Sequence, residues 1–192
     1  MNPLVRFLLR AKHWQVFLIF ALLWLAAVVA MIVPMLRSPQ EALDNLLPFF
    51  AAMELGAIFF ALWLWSVGAF LNAPTGLSFR AKTTLFRALV LVVPIYLPIF
   101  GFFFRGMSGV DVRLALISLA VIIPLHFLVM FCQIYSCYFV SKGLASAEHG
   151  RPALLSDYIG YFVCLWFFPV GIWIVQPRIN RLYVAMPSQS TP

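Results

Sequence analysis

The chain has 192 residues, of which 64% are hydrophobic and only 10% are charged. A soluble domain carries about 25% charged residues, so this chain cannot cover itself with a surface compatible with water. The formal net charge is +7, but the basic residues stand in ones and twos at the edges of apolar runs, as in membrane proteins that set their orientation. The sequence therefore predicts a protein embedded in the lipid bilayer and excludes nucleic acid as a partner.

The first segment of the chain, residues 1–13, places Arg6, Arg10 and His13 at helical spacing, with most of its leucines turned elsewhere. This pattern predicts a short amphipathic helix that lies on the lipid surface. Docking of this helix into a partner is the alternative. The apolar run that follows is longer than the core of about 7 to 15 residues found in a cleaved signal peptide, so an uncleaved anchor is expected.

The fold class predicted for residues 1–192 is a single all-α domain, a polytopic bundle of transmembrane helices. A membrane β-barrel would show alternating hydrophobicity instead of these continuous apolar runs. A helix needs about 20 apolar residues to cross the hydrocarbon core. Five spans are predicted, followed by a polar tail; the spans are residues 14–35, 47–71, 88–104, 114–140 and 158–176, and the tail is residues 177–192.

The last predicted span is interrupted by Pro169 and Gly171. With five spans, 8 lysines and arginines lie on the cytoplasmic side with the N-terminus and 5 lie outside with the C-terminus. In the alternative, four spans precede a re-entrant segment that turns back at Pro169, and the count becomes 10 against 3. Five spans are preferred, because residues 158–176, at about 1.5 Å each, approach the ~30 Å of the hydrocarbon core.

Polar side chains within the spans are the candidates for function. An ionisable group in mid-membrane costs about 3 kcal/mol on insertion scales, so Glu54 and His126 call for an explanation. His126, Met130, Gln133 and Cys137 share one face of their helix. The hypothesis is that Glu54 and His126 face one another inside the bundle. The alternative is that each bonds a backbone carbonyl or reaches towards water and serves packing only.

Catalytic chemistry is not predicted. Intramembrane hydrolysis would need a serine–histidine pair or paired aspartates within the spans, but Asp44, Asp111 and Asp157 lie in loops or at their edges and no serine stands in a nucleophile-like setting. The three cysteines have no zinc-binding spacing. His126 lies deep, whereas His13 lies at the surface and His149 in a loop, so paired haem ligation is not expected. The prediction is a protein that is not an enzyme and that holds no metal and no cofactor.

The segment FFPVGIWIVQPRINRLY, residues 167–183, ends the last apolar run with polar and stiff residues. Pro177 is expected to stop the helix. Gln176 and Asn180 are expected to bond its last carbonyls, and Arg178 to complement its negative end. A simple stop needs fewer specific residues than this, so a contact with a partner protein is also predicted. The residues predicted to form that contact are Trp173, Gln176, Arg178 and Asn180.

Residues 146–183, SAEHGRPALLSDYIGYFVCLWFFPVGIWIVQPRINRLY, resemble a group of small, uncharacterised multi-pass bacterial inner-membrane proteins. The C-terminal spans of that group end in a similar Pro-x-Gly-x-Trp-x-x-Gln-Pro-Arg-x-Asn pattern. The likeness extends to WSVGAFLNAP, residues 65–74. The resemblance implies a bacterial inner-membrane protein and supplies no activity.

The expected function is that of a non-catalytic accessory or interaction subunit of a bacterial inner-membrane assembly, with a cytoplasmic N-terminus. Its partners would be the lipid bilayer and another membrane protein, or further copies of itself. The alternative is a small oligomeric channel or transporter that uses Glu54 and His126.

Overall fold

The computed structural model describes residues 3–38, 46–72, 80–106 and 111–185, and all regular structure in these ranges is helical. The predicted all-α helical bundle is confirmed. The helices are α1 (Pro3–Arg10), α2 (His13–Arg37), α3 (Leu47–Asn72), α4 (Arg80–Val90), α5 (Val92–Gly106), α6 (Val112–His149), α7 (Leu155–Trp166) and α8 (Phe168–Ala185).

Four stretches of these helices are long and apolar enough to cross a membrane. They are His13–Arg37, Leu47–Leu71, Thr83–Arg105 and Leu116–His149. Large apolar side chains are exposed along the outside of these helices, as contact with lipid requires. The chain is therefore a membrane protein, and the four stretches correspond to the first four predicted spans.

The third of these stretches differs in detail from the prediction for residues 88–104. Helix α4 already begins at Arg80, and the helical path is interrupted at Leu91, where α5 takes over. Pro94 explains the interruption, because proline has no N–H to bond the carbonyl four residues earlier and its ring clashes with that carbonyl. The break therefore falls one turn before the proline.

The helix predicted for residues 114–140 is longer in the structure, where α6 extends to His149. Residues 141–157 of the sequence predict that this helix continues for about two turns and stops at Gly150, which precedes Arg151 and Pro152. Gly150 has φ 62 and ψ 16, the left-handed conformation that glycine adopts at little cost at the end of a helix. The last turns of α6 carry Glu148 to the end of the bundle.

The prediction of one continuous span over residues 158–176 is wrong. The segment forms two helices, α7 and α8, which meet at Phe167 with φ −95 and ψ 52. Two local features break the helix: Pro169 cannot donate a backbone hydrogen bond, and Gly171 packs directly against the backbone of Cys164 in α7. Such an approach requires the chain to bend sharply back on itself.

Pro177 does not stop the last helix, contrary to expectation. It lies inside α8, which continues to Ala185, so residues 177–185 of the predicted polar tail are helical. Residues 186–192 lie outside the described part of the chain. An internal proline removes one hydrogen bond. Gln176 before it and Asn180 after it both donate to the carbonyl of Ala11, which holds this part of α8 in place.

Helices α7 and α8 form an antiparallel hairpin. The guanidinium carbon of Arg178 lies 5.4 Å from the centre of the Tyr161 ring, although the turn at Phe167 separates these residues. The first residue of α8, Phe168, lies 4.5 Å from the ring of Phe60, near the middle of the 26-residue helix α3. The hairpin thus enters from one end of the bundle, reaches the middle and returns.

The two ends of the bundle differ strongly in charge. We call "basic end" the end at which α3, α6 and α8 finish and α2, α4 and α7 begin; Leu71 contacts Gly143 there, and Tyr183 contacts Phe70. Ten of the 13 lysines and arginines belong to it. They are Arg6, Arg10, Lys12, Arg80, Lys82, Arg87, Lys142, Arg151, Arg178 and Arg181.

Candidate functional site

Gln176 is the most deeply buried polar group of the C-terminal segment, with 0% of its surface exposed. Its Oε1 accepts a hydrogen bond from Nε1 of Trp63 at 2.9 Å. Its Nε2 donates to the carbonyl oxygens of Ala11 at 2.9 Å and Leu8 at 3.1 Å, and lies 2.9 Å from Oδ1 of Asn180. One side chain therefore ties α8 to α3 and to the end of α1. We call these five residues the amide clasp.

The amide clasp supplies hydrogen-bond partners to backbone carbonyls at the end of α1 and to the buried indole of Trp63. The last carbonyls of a helix have no partner within it, and α1 ends at Arg10. Asn180, one turn after Gln176, donates its Nδ2 to the oxygen of Ala11 at 3.2 Å. Trp63 is fully buried, and a buried indole N–H needs an acceptor, which Gln176 supplies.

The expectation that Gln176 and Asn180 bond the last carbonyls of their own helix is wrong. Gln176 donates to the carbonyls of Leu8 on α1 and of Ala11, the residue after α1, and Asn180 donates to that of Ala11. The expectation that Gln176 contacts a partner protein is wrong, because its side chain is enclosed within the chain. Asn180 is half-buried in the same clasp. The two amides are a device for internal assembly.

A second polar group joins the hairpin to the end of α6. The hydroxyl of Tyr161 donates to Glu148, and Nη1 of Arg178 donates to both carboxylate oxygens of Glu148 at 3.3 and 3.4 Å. Burial is the main cause that raises the pKa of Tyr161 to about 12, and the hydrogen bond to Glu148 is the second. The same carboxylate raises the pKa of Arg178. Tyr161 therefore stays protonated and Arg178 stays charged at neutral pH.

Trp173 is the predicted contact residue that keeps a large outer surface, with 47% of it exposed. Its ring lies 4.6 Å from that of His13 and 5.6 Å from that of Phe17, both on α2. Arg178 is also exposed, by 41% of its side chain, but is engaged with Glu148. The predicted contact residues are thus divided between the interior and the surface.

The prediction that Glu54 and His126 face one another is wrong. Nδ1 of His126 lies 3.1 Å from the hydroxyl of Tyr96 on α5. Glu54 lines a cavity of about 140 Å³ whose other walls include Pro98 and Arg105, also on α5. The two residues were predicted to pair because they lie at similar depths in the membrane. In the structure His126 contacts α5 at Tyr96, whereas Glu54 faces α5 at Pro98 and Arg105. The position of α5 relative to α3 and α6 could not be read from depth alone.

Glu54 and Gln133 differ in how well their polar atoms are satisfied. Oε2 of Glu54 is buried and has no hydrogen-bond partner. Nε2 of Gln133 lies 3.5 Å from the sulfur of Cys137, one turn along the same helix, which is a weak contact. Of these polar residues, Glu54 is therefore the one whose acceptor is both buried and without a partner.

No sequence pattern singled out Trp63, Glu148 or Tyr161, although each makes a hydrogen bond in one of the two polar groups. Gln176 gave one indirect indication of Trp63. It stands at the end of an apolar run, and a buried amide needs both a donor and an acceptor as partners, such as the indole N–H that Trp63 supplies. Nothing in the sequence indicated which helix would supply them.

In the part of the chain that the structure describes, no group of three or more histidine, cysteine or acidic side chains could hold a metal ion. No family model, curated protein or solved structure matches this chain. The amide clasp, the hairpin and the charge distribution are the features of the structure that bear on function.

Replacing Arg178 with alanine is expected to reduce the free energy of unfolding by no more than about 1 kcal/mol. The ion pair with Glu148 is partly exposed, and such pairs contribute about 0 to 1 kcal/mol. Thermal unfolding of the purified protein in mild detergent measures the effect. A loss of several kcal/mol would show that the ion pair, and not the amide clasp, holds the hairpin.

Proposed function

We propose that this protein is a non-catalytic accessory subunit of a bacterial inner-membrane assembly, and that the tip of the α7–α8 hairpin contacts its partner. The tip is apolar and exposed: 62% of Phe167 and 72% of Val170 are accessible. It reaches the middle of the bundle, where Phe168 packs on Phe60. Non-helical backbone at membrane depth is tolerated only next to protein or a water-filled cavity. A neighbouring protein would supply that cover.

The hairpin is suited to presenting a fixed surface. On its inner side, Phe168 packs against Phe20 and Trp63 with ring centres 5.0 and 5.1 Å apart. The amide clasp then holds α8 about two turns further on, at Gln176. Because the inner side is anchored, the exposed side chains of the turn keep a defined position, and a preformed surface loses less entropy on binding.

The charge distribution supports an orientation with the basic end in the cytoplasm. Loops rich in lysine and arginine remain on the cytoplasmic side of a membrane, and ten of the 13 basic residues belong to this end. Four crossings and a returning hairpin then put both termini in the cytoplasm. The resemblance of residues 146–183 to bacterial inner-membrane proteins agrees with this location.

Photo-crosslinking in native membranes tests the accessory role. A benzophenone amino acid at position 170 is expected to give a discrete adduct with a second polypeptide. The matched control carries it at position 121 on α6, where Val121 is exposed to a similar extent, 64%, and should react with lipid only. Adducts with lipid alone at both positions would contradict the proposal, and adducts between copies of this chain would move the inference to a self-oligomer.

A channel or transporter is the second candidate, supported by the unpaired Oε2 of Glu54 beside its cavity. A carboxylate in that setting could bind and release a proton. His126, which the sequence suggested as the partner of Glu54, is hydrogen-bonded to Tyr96 instead. In proteoliposomes loaded with a pH-sensitive dye, Glu54→Gln is therefore expected to abolish proton flux and His126→Phe to preserve it. Absence of flux in the unmodified protein would eliminate this candidate.

A further inference from the structure

Basic side chains lie over aromatic rings at several places around the basic end. In each pair the cationic group is within 6 Å of the ring centre, the range of a cation–π interaction. Together the pairs involve α1, α3, α4, α6, α7 and α8, so they are distributed around the bundle. The four pairs, which we call the basic-aromatic ring, are Arg10 with Tyr183, Arg87 with Trp65, Lys142 with Tyr138, and Arg178 with Tyr161.

Two of these pairs lie at the same height along the bundle. The bond from Trp63 to Gln176 fixes the register of α3 against α8. Trp65 follows Trp63 by two residues, and Arg178 follows Gln176 by two, both in the direction of the basic end. At about 1.5 Å per residue, the two pairs stand level to within a few ångströms.

A second contact places the other helices at nearly the same level. The rings of Phe86 on α4 and Phe139 on α6 are stacked with centres 4.4 Å apart. Their chain neighbours, Arg87 and Tyr138, belong to the basic-aromatic ring. Phe86 also packs against Gly68, one turn beyond Trp65 on α3. The ring is therefore a band about two helical turns wide.

This band has the chemistry of a membrane boundary. Tyrosine and tryptophan rings sit at the level of lipid headgroups, and arginine and lysine extend their charged groups to that level along apolar stems. The acidic residues at this end, Glu148 and Asp157, are both paired with arginines. The end thus keeps a large excess of positive charge at the depth at which lipid phosphates lie.

We propose that the basic-aromatic ring binds the phosphate groups of anionic phospholipids in the leaflet that faces the basic end. Basic residues close to a membrane surface are attracted to anionic lipids. The cations are spread around the bundle and do not converge on one pocket, which fits a shell of lipids better than a single soluble anion. Exposed apolar side chains such as Leu85, 49% accessible, adjoin the ring and would contact the acyl chains.

Native mass spectrometry of the purified full chain tests the proposal with short-chain phosphatidylglycerol as the probe and short-chain phosphatidylcholine as the neutral comparison. Arg10→Gln with Arg87→Gln is expected to weaken phosphatidylglycerol binding by at least about fivefold, given about 1 kcal/mol per basic residue at an anionic surface. Binding of phosphatidylcholine should not change. The matched control, Arg37→Gln with Arg113→Gln, removes the same charge from the opposite end and should change binding less than twofold.

A second variant separates charge from folding: Arg10→Lys with Arg87→Lys keeps both charges and should keep the preference for phosphatidylglycerol. Equal affinity of the unmodified protein for the two lipids would overturn the proposal. So would an equal loss of affinity in the two glutamine pairs. These outcomes do not depend on the accessory role of the hairpin, which has its own crosslinking test.

Discussion

Gly171→Ala is expected to prevent the α7–α8 hairpin from closing and to reduce the free energy of unfolding by about 3 kcal/mol or more. A Cβ at this position would overlap the carbonyl oxygen of Cys164 and stand 2.6 Å from its Cα. These are backbone atoms, so the overlap cannot be relieved by a change of rotamer, and overpacking that shifts the backbone costs about 1 to 3 kcal/mol or more.

Gly160→Ala is the matched control for this substitution. Gly160 lies in the same hairpin, on α7, and a Cβ there would meet nothing within 4 Å. Because alanine favours a helix over glycine by about 0.5 to 1 kcal/mol, this variant should be neutral or slightly more stable. Thermal unfolding followed with a thiol-reactive dye is suitable, since Cys132 and Cys137 are free and buried. Equal melting temperatures for the two variants would contradict the hairpin.

Gln176→Leu is expected to reduce the free energy of unfolding by about 4 kcal/mol. The substitution introduces an apolar side chain of similar size and removes every hydrogen bond of the amide. The indole N–H of Trp63 is left buried without an acceptor, and the carbonyl of Leu8 loses its donor. Each buried polar group left unsatisfied costs about 1 to 3 kcal/mol.

Gln133→Leu provides the comparison for Gln176. The residue type is the same, but Gln133 is only half-buried and makes one weak contact, to the sulfur of Cys137. Its replacement should change stability by less than about 1 kcal/mol, in the range of ordinary substitutions away from special features. Adding Trp63→Phe to Gln176→Leu should cost less than the sum of the single changes, since the two residues share one bond. Additive losses would argue against the amide clasp.

The parts of the fold that follow from local pattern were predicted from sequence. Continuous apolar runs indicated the four helical stretches that are long enough to cross a membrane, although not the break at Leu91 within the third. Gly150 gave the end of α6, because a glycine after a periodic segment indicates a left-handed stop. These features depend on residues close in sequence and on the thickness of the bilayer.

The C-terminal hairpin could not be derived in the same way. Residues 158–176 satisfied the length rule for a span, and the deciding contact, Gly171 against Cys164, becomes visible only once the chain has bent. Proline and glycine in the segment raised the possibility of a turn, but such residues are also tolerated in membrane helices. Length alone therefore gave the wrong preference.

The polar groups illustrate a different limit. The sequence suggested that Gln176 and Asn180 bond the last carbonyls of their own helix, but they bond carbonyls at the end of α1, and 165 residues separate Gln176 from Ala11. For Glu54 and His126, similar depths suggested a pair, whereas rotation of each helix about its axis decides which side chains meet. The depth of a residue in the membrane can be estimated by counting residues along its helix. The rotation of a helix about its axis depends on packing against its neighbours, which one sequence does not reveal.

The central claim is that the chain crosses the membrane four times and then folds back. The location of the C-terminus tests this claim most directly. Green fluorescent protein and alkaline phosphatase would be fused in turn after Pro192, since the first fluoresces in the cytoplasm and the second is active only outside it. The returning hairpin predicts bright fluorescence and no phosphatase activity. Phosphatase activity without fluorescence would mean that residues 158–176 cross the membrane, and would contradict the hairpin and the amide clasp together.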